Sequence, residues 1–294
     1  MQLDNFLIHD RTPRADRHLI EAILAVLKDG IWDENPRPRW ADGTPAHTRF
    51  ISHVVQTYDL AAGEFPLISL RNMAWKSAVK EMLWIYQDQT SDLSVLEDKY
   101  NIYWWRDWES TDRPGTIGQR YGATVRKYDL LNRLLRGLAE DPYGRRHIMS
   151  LWQEEDFRET DGLVPCAFQT LWTVRGEELD MVLVQRSSDY LTAGHINQLQ
   201  YAALLMMVAQ VIGRRPGRFT HLLVNLHIYD RHLDNAQRLL ERYRDFNYTG
   251  LQPRLILNPE VKNFYDFTIA DFDTENWERF KEPADQPMKF EVAI

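Results

Sequence analysis

Cysteine is almost absent from this chain: of 294 residues, only Cys166 carries a thiol. One cysteine closes no intrachain disulfide, so a reducing, cytoplasmic setting is expected. It also cannot build a structural zinc site, and His227 with His232 on a strand lacks metal-ligand spacing, so no metal is expected. No glycine-rich phosphate loop of Rossmann or Walker type is present. Long apolar runs are missing too. The longest candidate, residues 202–211, is too short to span a bilayer and reads as a buried helix. Residues 1–5 lack a basic stretch leading into an apolar run, so no signal peptide is expected. Excess positive charge is likewise missing. Lys and Arg number 35 against 43 Asp and Glu, a net charge of −8. That disfavours a nucleic-acid-coating role but leaves room for a local cationic pocket.

What remains is an ordinary globular composition, 44% hydrophobic and 27% charged, long enough to bury a full core. With no repeat, low-complexity linker or visible boundary, a single domain over 1–294 is expected. Ten Trp and thirteen Tyr supply aromatic surface for packing, ligand stacking or a subunit interface. Apolar periodicity predicts helices over 19–27, 75–86 and 128–139, and an all-round apolar helix over 197–212 stopped by Gly213. Residues 31–47 read as a loop, and 101–122 as a Trp-rich irregular stretch of the kind that carries function. Short β-rich runs fall at 147–152, 168–174, 179–185 and 221–229. Consecutive strands rather than strict alternation with helices predict α+β, with a mixed, mainly antiparallel sheet packed against helices.

The chemistry-bearing residues cluster. Cys166 follows Pro165, and Gln185-Arg186-Ser187-Ser188-Asp189 comes about twenty residues later, with Asn197 soon after. A thiol beside a guanidinium can act as a nucleophile, because a cation lowers the thiol's pKa. The plain alternative is a small buried hydrophobe. Arg145-Arg146, with Arg37, could bind a phosphate, although adjacent arginines are more often a solvated pair. Glu81, among apolar neighbours on a helix, could transfer protons, or could be an exposed partner of Lys80. His227 and Tyr229 alternate onto one strand face, where both could reach a sugar hydroxyl or could simply bond within the core.

Taken in order, these segments resemble the folate-dependent thymidylate synthases of bacterial and phage type. The resemblance runs through Asp42-Gly43-Thr44-Pro45, Phe65-Pro66-Leu67, Lys80-Glu81-Met82-Leu83-Trp84, Gly115-Thr116-Ile117-Gly118 and Tyr121-Gly122. It continues through Arg145-Arg146-His147-Ile148, Pro165-Cys166, Gln185 to Asp189, Asn197, His227-Ile228-Tyr229 and Val292-Ala293-Ile294. It also covers Asn258 to Lys262 and Phe264 to Phe267. The family implies a homodimer with sheets back to back, and reductive methylation of dUMP by 5,10-methylenetetrahydrofolate as co-substrate. On that resemblance, Cys166 attacks uracil C6 and Asn197 reads the base edge. His227 and Tyr229 hold the 3′-hydroxyl. Arg37, Arg186 and Ser187 hold the 5′-phosphate, with Gln185 beside them, and Arg145 and Arg146 reach it from the partner subunit. Glu81 organises proton transfer, Tyr121 supports removal of the C5 proton, and Asp189 and Trp105 meet the pterin. Arg71 meets the glutamate tail, and the Ile294 carboxylate closes the site.

Three stretches depart from the family's usual pattern: Thr192 to Asn197, Val224-Asn225, and Ala167 directly after the nucleophile. They bear on the folate cleft more than on the nucleotide site and read as subgroup variation. Two other functions stand against the first. A pyrimidine nucleotide C5-hydroxymethylase of the same superfamily shares the covalent adduct but finishes with water. Asn197 rather than Asp favours uracil over cytosine, and Trp105 with the Val-Ala-Ile terminus favours hydride transfer. A non-catalytic nucleotide- or RNA-binding protein is disfavoured by the retained Cys166 and by the net charge.

Overall fold

The computed structural model describes residues 6–281 and 288–294; residues 1–5, read above for a signal segment, lie outside them. Helix α1 (Arg14–Asp29) leads into a two-residue strand β1 (Ile31–Trp32) and a long strand β2 (Thr48–Asp59). Then come α2 (Trp75–Leu83), α3 (Leu93–Tyr100), α4 (Gly122–Lys127), α5 (Leu130–Glu140), β3 (Ile148–Ser150) and α6 (Glu154–Glu159). Strands β4 (Ala167–Arg175), β5 (Glu178–Gln185) and β6 (Ser188–Asp189) precede helix α7 (His195–Val211). The chain continues with β7 (Arg215–Tyr229), α8 (Leu233–Asp245), β8 (Arg254–Leu257) and β9 (Phe272–Glu275).

The main sheet has seven strands in the order β1-β2-β7-β5-β4-β3, with β6 also paired to β7. Pairings of β7 with β5 and β6 are parallel, and the rest are antiparallel. This is the mixed, mainly antiparallel α+β arrangement expected. A separate β8–β9 hairpin lies outside it.

The alternation within strands explains which sheet face is covered. Leu179, Met181, Leu183 and Gln185 of β5 are buried, as are Phe219, His221 and Leu223 of β7. That face packs on α7, whose Leu199, Ala202, Leu204, Leu205 and Val208 are all inaccessible. A helix apolar all round belongs between two layers, and α2 packs on its other side. Each fully buried Leu or Val there contributes about 1.5–3 kcal/mol. Helix α1 ends at Gly30, where a Cβ would collide with the Val26 carbonyl oxygen.

Several boundaries correct the sequence reading. The 31–47 loop contains β1 and an antiparallel bridge between Arg39 and Pro45. The helix read over 75–86 is α-helical only to Leu83 and finishes as a π-helical turn, Trp84–Asp88. Helix α5 begins at Leu130, because Asp129 takes a left-handed φ of 50° and separates it from α4. The strand read over 221–229 begins at Arg215 and pairs with β2, to which the sequence reading assigns no element.

Candidate active site

Cys166 lies immediately before β4, where register pairs Ala167 with Gln185. The Arg186 backbone N–H therefore donates to the Cys166 carbonyl at 2.9 Å. The Arg186 side chain turns back on the same loop. Nε donates to the Pro165 carbonyl at 3.0 Å and Nη2 to the Val164 carbonyl at 2.7 Å, with Nη2 at 3.6 Å from Cys166 Sγ. One guanidinium thus shapes the nucleophile loop and places positive charge on the sulfur. Burial pushes the Cys166 thiol up, and Arg186 and then Arg37 pull it back down. The net direction is upward, so the sulfur rests as a thiol and must lose its proton to attack.

Tyr121 faces this loop, and the Cys166 N–H donates to its hydroxyl at 3.3 Å. Its backbone, φ 45° and ψ −108°, lies in a sparsely populated region. Such strain persists where surrounding packing holds it. Here the Trp105 ring packs edge-on at 5.1 Å, and at the next residue, Gly122, a Cβ would collide with the Thr90 carbonyl oxygen.

Asn197, on the first turns of α7, sits in a row of amides. Gln185 Nε2 donates to Asn197 Oδ1 at 3.1 Å and to the Ser187 carbonyl at 2.9 Å. Asn197 Nδ2 donates to Gln200 Oε1 at 3.1 Å. A primary amide has two donors and two acceptor positions. Asn197 therefore keeps one of each for a ligand. His221 Nε2 meets Gln185 Oε1 at 2.9 Å, and burial lowers that imidazole to about 3, so it is neutral and Nε2 carries the proton.

Glu81, 6% exposed on α2, faces the same region. Burial raises its carboxyl to about 7, against which the Trp104 N–H favours the ionised form. Trp104 Nε1 donates directly to Glu81 Oε2 at 2.6 Å. A carboxyl near 7 is suited to giving and taking protons at neutral pH. The alternative of an exposed partner for Lys80 does not hold, since Lys80 Nζ donates to the Tyr100 carbonyl at 3.1 Å.

His227, Tyr229 and Asp189 meet where β6 pairs with β7 and Asp189 lies opposite His227. His227 and Tyr229 contact edge to face at 5.2 Å. Burial lowers His227, and its Nδ1 lies 2.8 Å from Asn225 Oδ1. Asn225, one of the sequence departures, thereby accepts the Nδ1 proton and leaves Nε2 free to accept. His195, in another departure, is 2% exposed, and burial followed by the Arg71 charge lowers it well below its usual range. It sits neutral beside the cleft.

The C-terminus crosses this region. The Arg39 N–H donates to the Ile294 carbonyl at 2.7 Å and the Ile294 N–H to the Arg39 carbonyl at 3.0 Å, while Ala293 packs on Trp40, Ala46 and Tyr229. Arg71 donates to the Leu191 carbonyl at 2.5 Å and lies over the Phe290 ring at 4.4 Å. Arg145 and Arg146 are not brought into this group. Both are exposed, and Arg146 lines a separate cleft between α5 and β3 with Leu134, Gly137 and Ile148.

Sequence reasoning missed Gln200, Trp104 and His221, and named Asn225 only as a departure without a role. Gln200 was findable as a polar residue three positions after Asn197 in an apolar helix. Trp104 was findable as the first of a Trp doublet. Among the described residues no group of His, Cys, Asp and Glu could hold a metal ion, and no helix is long and apolar enough to cross a membrane.

The chain is similar to known proteins along nearly its whole length. The family model described as thymidylate synthase matches residues 17–294. Thymidylate synthase of Streptococcus pneumoniae is 47% identical over 286 residues, 96% of this chain and 99% of that protein. That of Streptococcus gordonii shows the same identity and coverage. Among solved structures, thermostable thymidylate synthase A from Bacillus subtilis superposes with a TM-score of 0.85 at 33% identity, covering 96% of this chain and all of that one. A nucleophile held under a guanidinium, a fixed amide and a carboxyl near neutrality thus stand on a fold and sequence shared end to end: this chain belongs to the thymidylate synthase family.

Proposed function

We propose that this chain converts dUMP to dTMP by reductive methylation, with 5,10-methylenetetrahydrofolate as co-substrate and dihydrofolate as the second product. The carrying observation is the Cys166 sulfur 3.6 Å from Arg186 Nη2, on a scaffold whose relatives at 47% identity are thymidylate synthases. Cys166 Sγ, on losing its proton, adds to C6 of the uracil, and electron density moves to C5, which becomes the carbon nucleophile. The folate supplies the one-carbon unit and the hydride. Asn197 donates to O4 and accepts from N3–H with the donor and acceptor that its protein partners leave free. Glu81, raised to about 7 by burial, holds and returns protons at the O4 and folate side. Tyr121, over the nucleophile loop, supports removal of the C5 proton. Loss of the thiolate from C6 restores the aromatic base and the free enzyme.

Arg37, Arg186 and Ser187 bind the 5′-phosphate, Gln185 positions the amide, and His227 Nε2 and Tyr229 take the 3′-hydroxyl. Asp189, Trp105 and Arg71 suit the folate: a carboxylate for the pterin N–H groups, a ring edge for its plane, a cation for its glutamate. The Ile294 carboxylate closes over it, and closure keeps water from the reactive intermediate. The working form is a cytosolic homodimer to which the partner subunit brings Arg145 and Arg146.

The test is incubation with 5-fluoro-dUMP and 5,10-methylenetetrahydrofolate, followed by intact-protein mass. A covalent ternary adduct is expected on the wild-type chain and none on Cys166→Ser, whose turnover should fall by at least about a thousandfold. Release of tetrahydrofolate in place of dihydrofolate would make it a hydroxymethylase. An adduct that survives Cys166→Ser would sink the nucleophile.

A further inference from the structure

Arg120 is 2% exposed and stands directly before Tyr121. A buried guanidinium needs acceptors for its donors, and here they are backbone carbonyls. Nη1 donates to the Gln119 carbonyl at 2.9 Å and to the Asp156 carbonyl at 2.7 Å, and Nη2 donates to the Thr160 carbonyl at 2.8 Å. Residues 156 and 160 lie at the end of α6, where helix carbonyls lack intrahelical partners and a cation is favoured. The Arg120 Cζ lies over the Phe157 ring at 4.9 Å. A further bond joins the same two segments, from the Gln119 N–H to Thr160 Oγ1 at 2.8 Å. Along α4, Thr124 Oγ1 and Lys127 Nζ donate to the buried Asp156 carboxylate at 2.6 and 2.8 Å. From Thr160 the chain runs on through residues 161–165 to Cys166.

We propose that Arg120 is a positioning residue for removal of the C5 proton: it ties the end of α6 to the backbone entering Tyr121 and so holds the Tyr121 hydroxyl over the nucleophile loop. The inference rests on the role of Tyr121 proposed above and goes beyond it. Tyr121 keeps a backbone conformation, φ 45° and ψ −108°, that a tyrosine adopts only under restraint. Restraint after it comes from α4, where the Val125 N–H donates to the Tyr121 carbonyl at 2.9 Å. Restraint before it comes from Arg120, whose backbone cannot turn without drawing the guanidinium off three carbonyls. The Cys166 loop is held from its own side by Arg186 on the Pro165 and Val164 carbonyls. The two arginines thus fix the two parts that meet where the Cys166 N–H donates to the Tyr121 hydroxyl at 3.3 Å. A planar fork can hold carbonyls on separate segments at once, which a single ammonium does less well. Without Arg120, the Asp156 carboxylate still joins α4 to α6 and Trp105 still packs on Tyr121, so the hydroxyl loses its exact place while the site stays assembled. A small displacement of a positioned group costs rate more than binding.

Two variants test this. Arg120→Met keeps the stem and removes every donor, whereas Arg120→Lys keeps the charge and reaches fewer carbonyls. Both are read in three ways: kcat and KM for dUMP, the ratio of kcat on dUMP to kcat on dUMP deuterated at C5, and the rate of covalent adduct formation with 5-fluoro-dUMP and 5,10-methylenetetrahydrofolate. The fluorinated base has no proton at C5, so its adduct forms without the step assigned to Tyr121. Arg120→Met should lower kcat by about 10- to 100-fold with KM for dUMP nearly unchanged. Its isotope ratio should rise above the wild-type value, while its adduct forms at the wild-type rate. Arg120→Lys should fall between wild type and Arg120→Met in kcat and in isotope ratio. A purely structural Arg120 would lower the unfolding temperature of both variants and leave kcat of the folded protein and the isotope ratio in place, and that result overturns the proposal. Adduct formation slowed as much as turnover also overturns it, by moving the effect to the nucleophile loop. If Arg120→Met does not fold, an unmoved isotope ratio in Arg120→Lys overturns it by itself. Tyr121→Phe separates the parent reading. If that variant keeps wild-type kcat and isotope ratio, the role of Tyr121 falls and the proposal with it. A slowed Tyr121→Phe beside an unmoved Arg120→Met removes only the role of Arg120.

Discussion

At the scale of single residues, the direction of hydrogen bonds decides more than the identity of the groups. Asn197 could in principle present its amide either way, and only its partners remove the ambiguity. Asn197→Asp tests this. An ionised carboxylate there would face Gln200 Oε1, acceptor against acceptor, at the position where Nδ2 now lies at 3.1 Å. The variant is therefore expected to hold a proton on that oxygen or force Gln200 to turn. A protonated carboxyl can serve cytosine's N3 and 4-amino edge. Turnover of dUMP should drop by about a hundredfold or more while tolerance of dCMP improves, read as a ratio of kcat/KM values. An unchanged preference for dUMP would show that Asn197 does not read the base. The sequence already pointed to Cys166, Arg186 and Asn197, because each is rare or charged in its context. It did not reveal Gln200, His221 or the role of Asn225, because their work lies in which atom faces which neighbour.

At the scale of elements, the legible parts were those with strong periodicity. Helix α7 and strand β5 read directly, since one is apolar all round and the other alternates. Strand β2 did not, because Arg49, Ser52, His53, Gln56 and Thr57 break its apolar pattern and His53 takes a φ of 57°. Its strand character comes from pairing with β7 over nearly its whole length, which is tertiary information. Helix α8 carried the pattern Ala236, Leu239, Leu240 and Tyr243 and was readable in principle. Helix α1 holds a buried acid in its first turn. Asp16 accepts from the Ser69 N–H at 2.8 Å, and burial raises its carboxyl from 3.8 to about 6. A folded-state pKa above the unfolded one gives stability that is full below 3.8 and is lost as pH rises through 6. Asp16→Asn removes that loss while keeping an acceptor for Ser69. Its unfolding free energy relative to wild type should therefore move in its favour by about 3 kcal/mol between pH 3.5 and pH 7. Urea unfolding at several pH values measures it. A difference that stays flat with pH would mean that Asp16 titrates alike in the folded and unfolded chain.

At the scale of the whole molecule, the sheet has a second face that the described residues leave partly open. Register aligns Ile148 with Leu171 and Leu171 with Val182, and aligns Val184 with Leu222 and Leu222 with Val55. Ile148 is 49% exposed and Val55 59%. Contiguous apolar surface of this kind on a sheet calls for a partner. Arg145 and Arg146 stand just before β3 at its margin, exposed and apart from Cys166. If two copies pack these faces together, each site takes its last phosphate-binding arginines from the other chain, and the two-fold axis makes both sites alike. Subunit exchange tests this arrangement. Cys166→Ser alone is expected to be inactive, and Arg146→Glu alone is expected to lose most activity by placing an anion at the phosphate. Mixed heterodimers contain one site with both defects and one site with neither. Activity should therefore reappear on exchange, approaching half the wild-type value per heterodimer. Exchange verified by mass spectrometry without any return of activity would confine Arg146 to its own chain and remove the shared site.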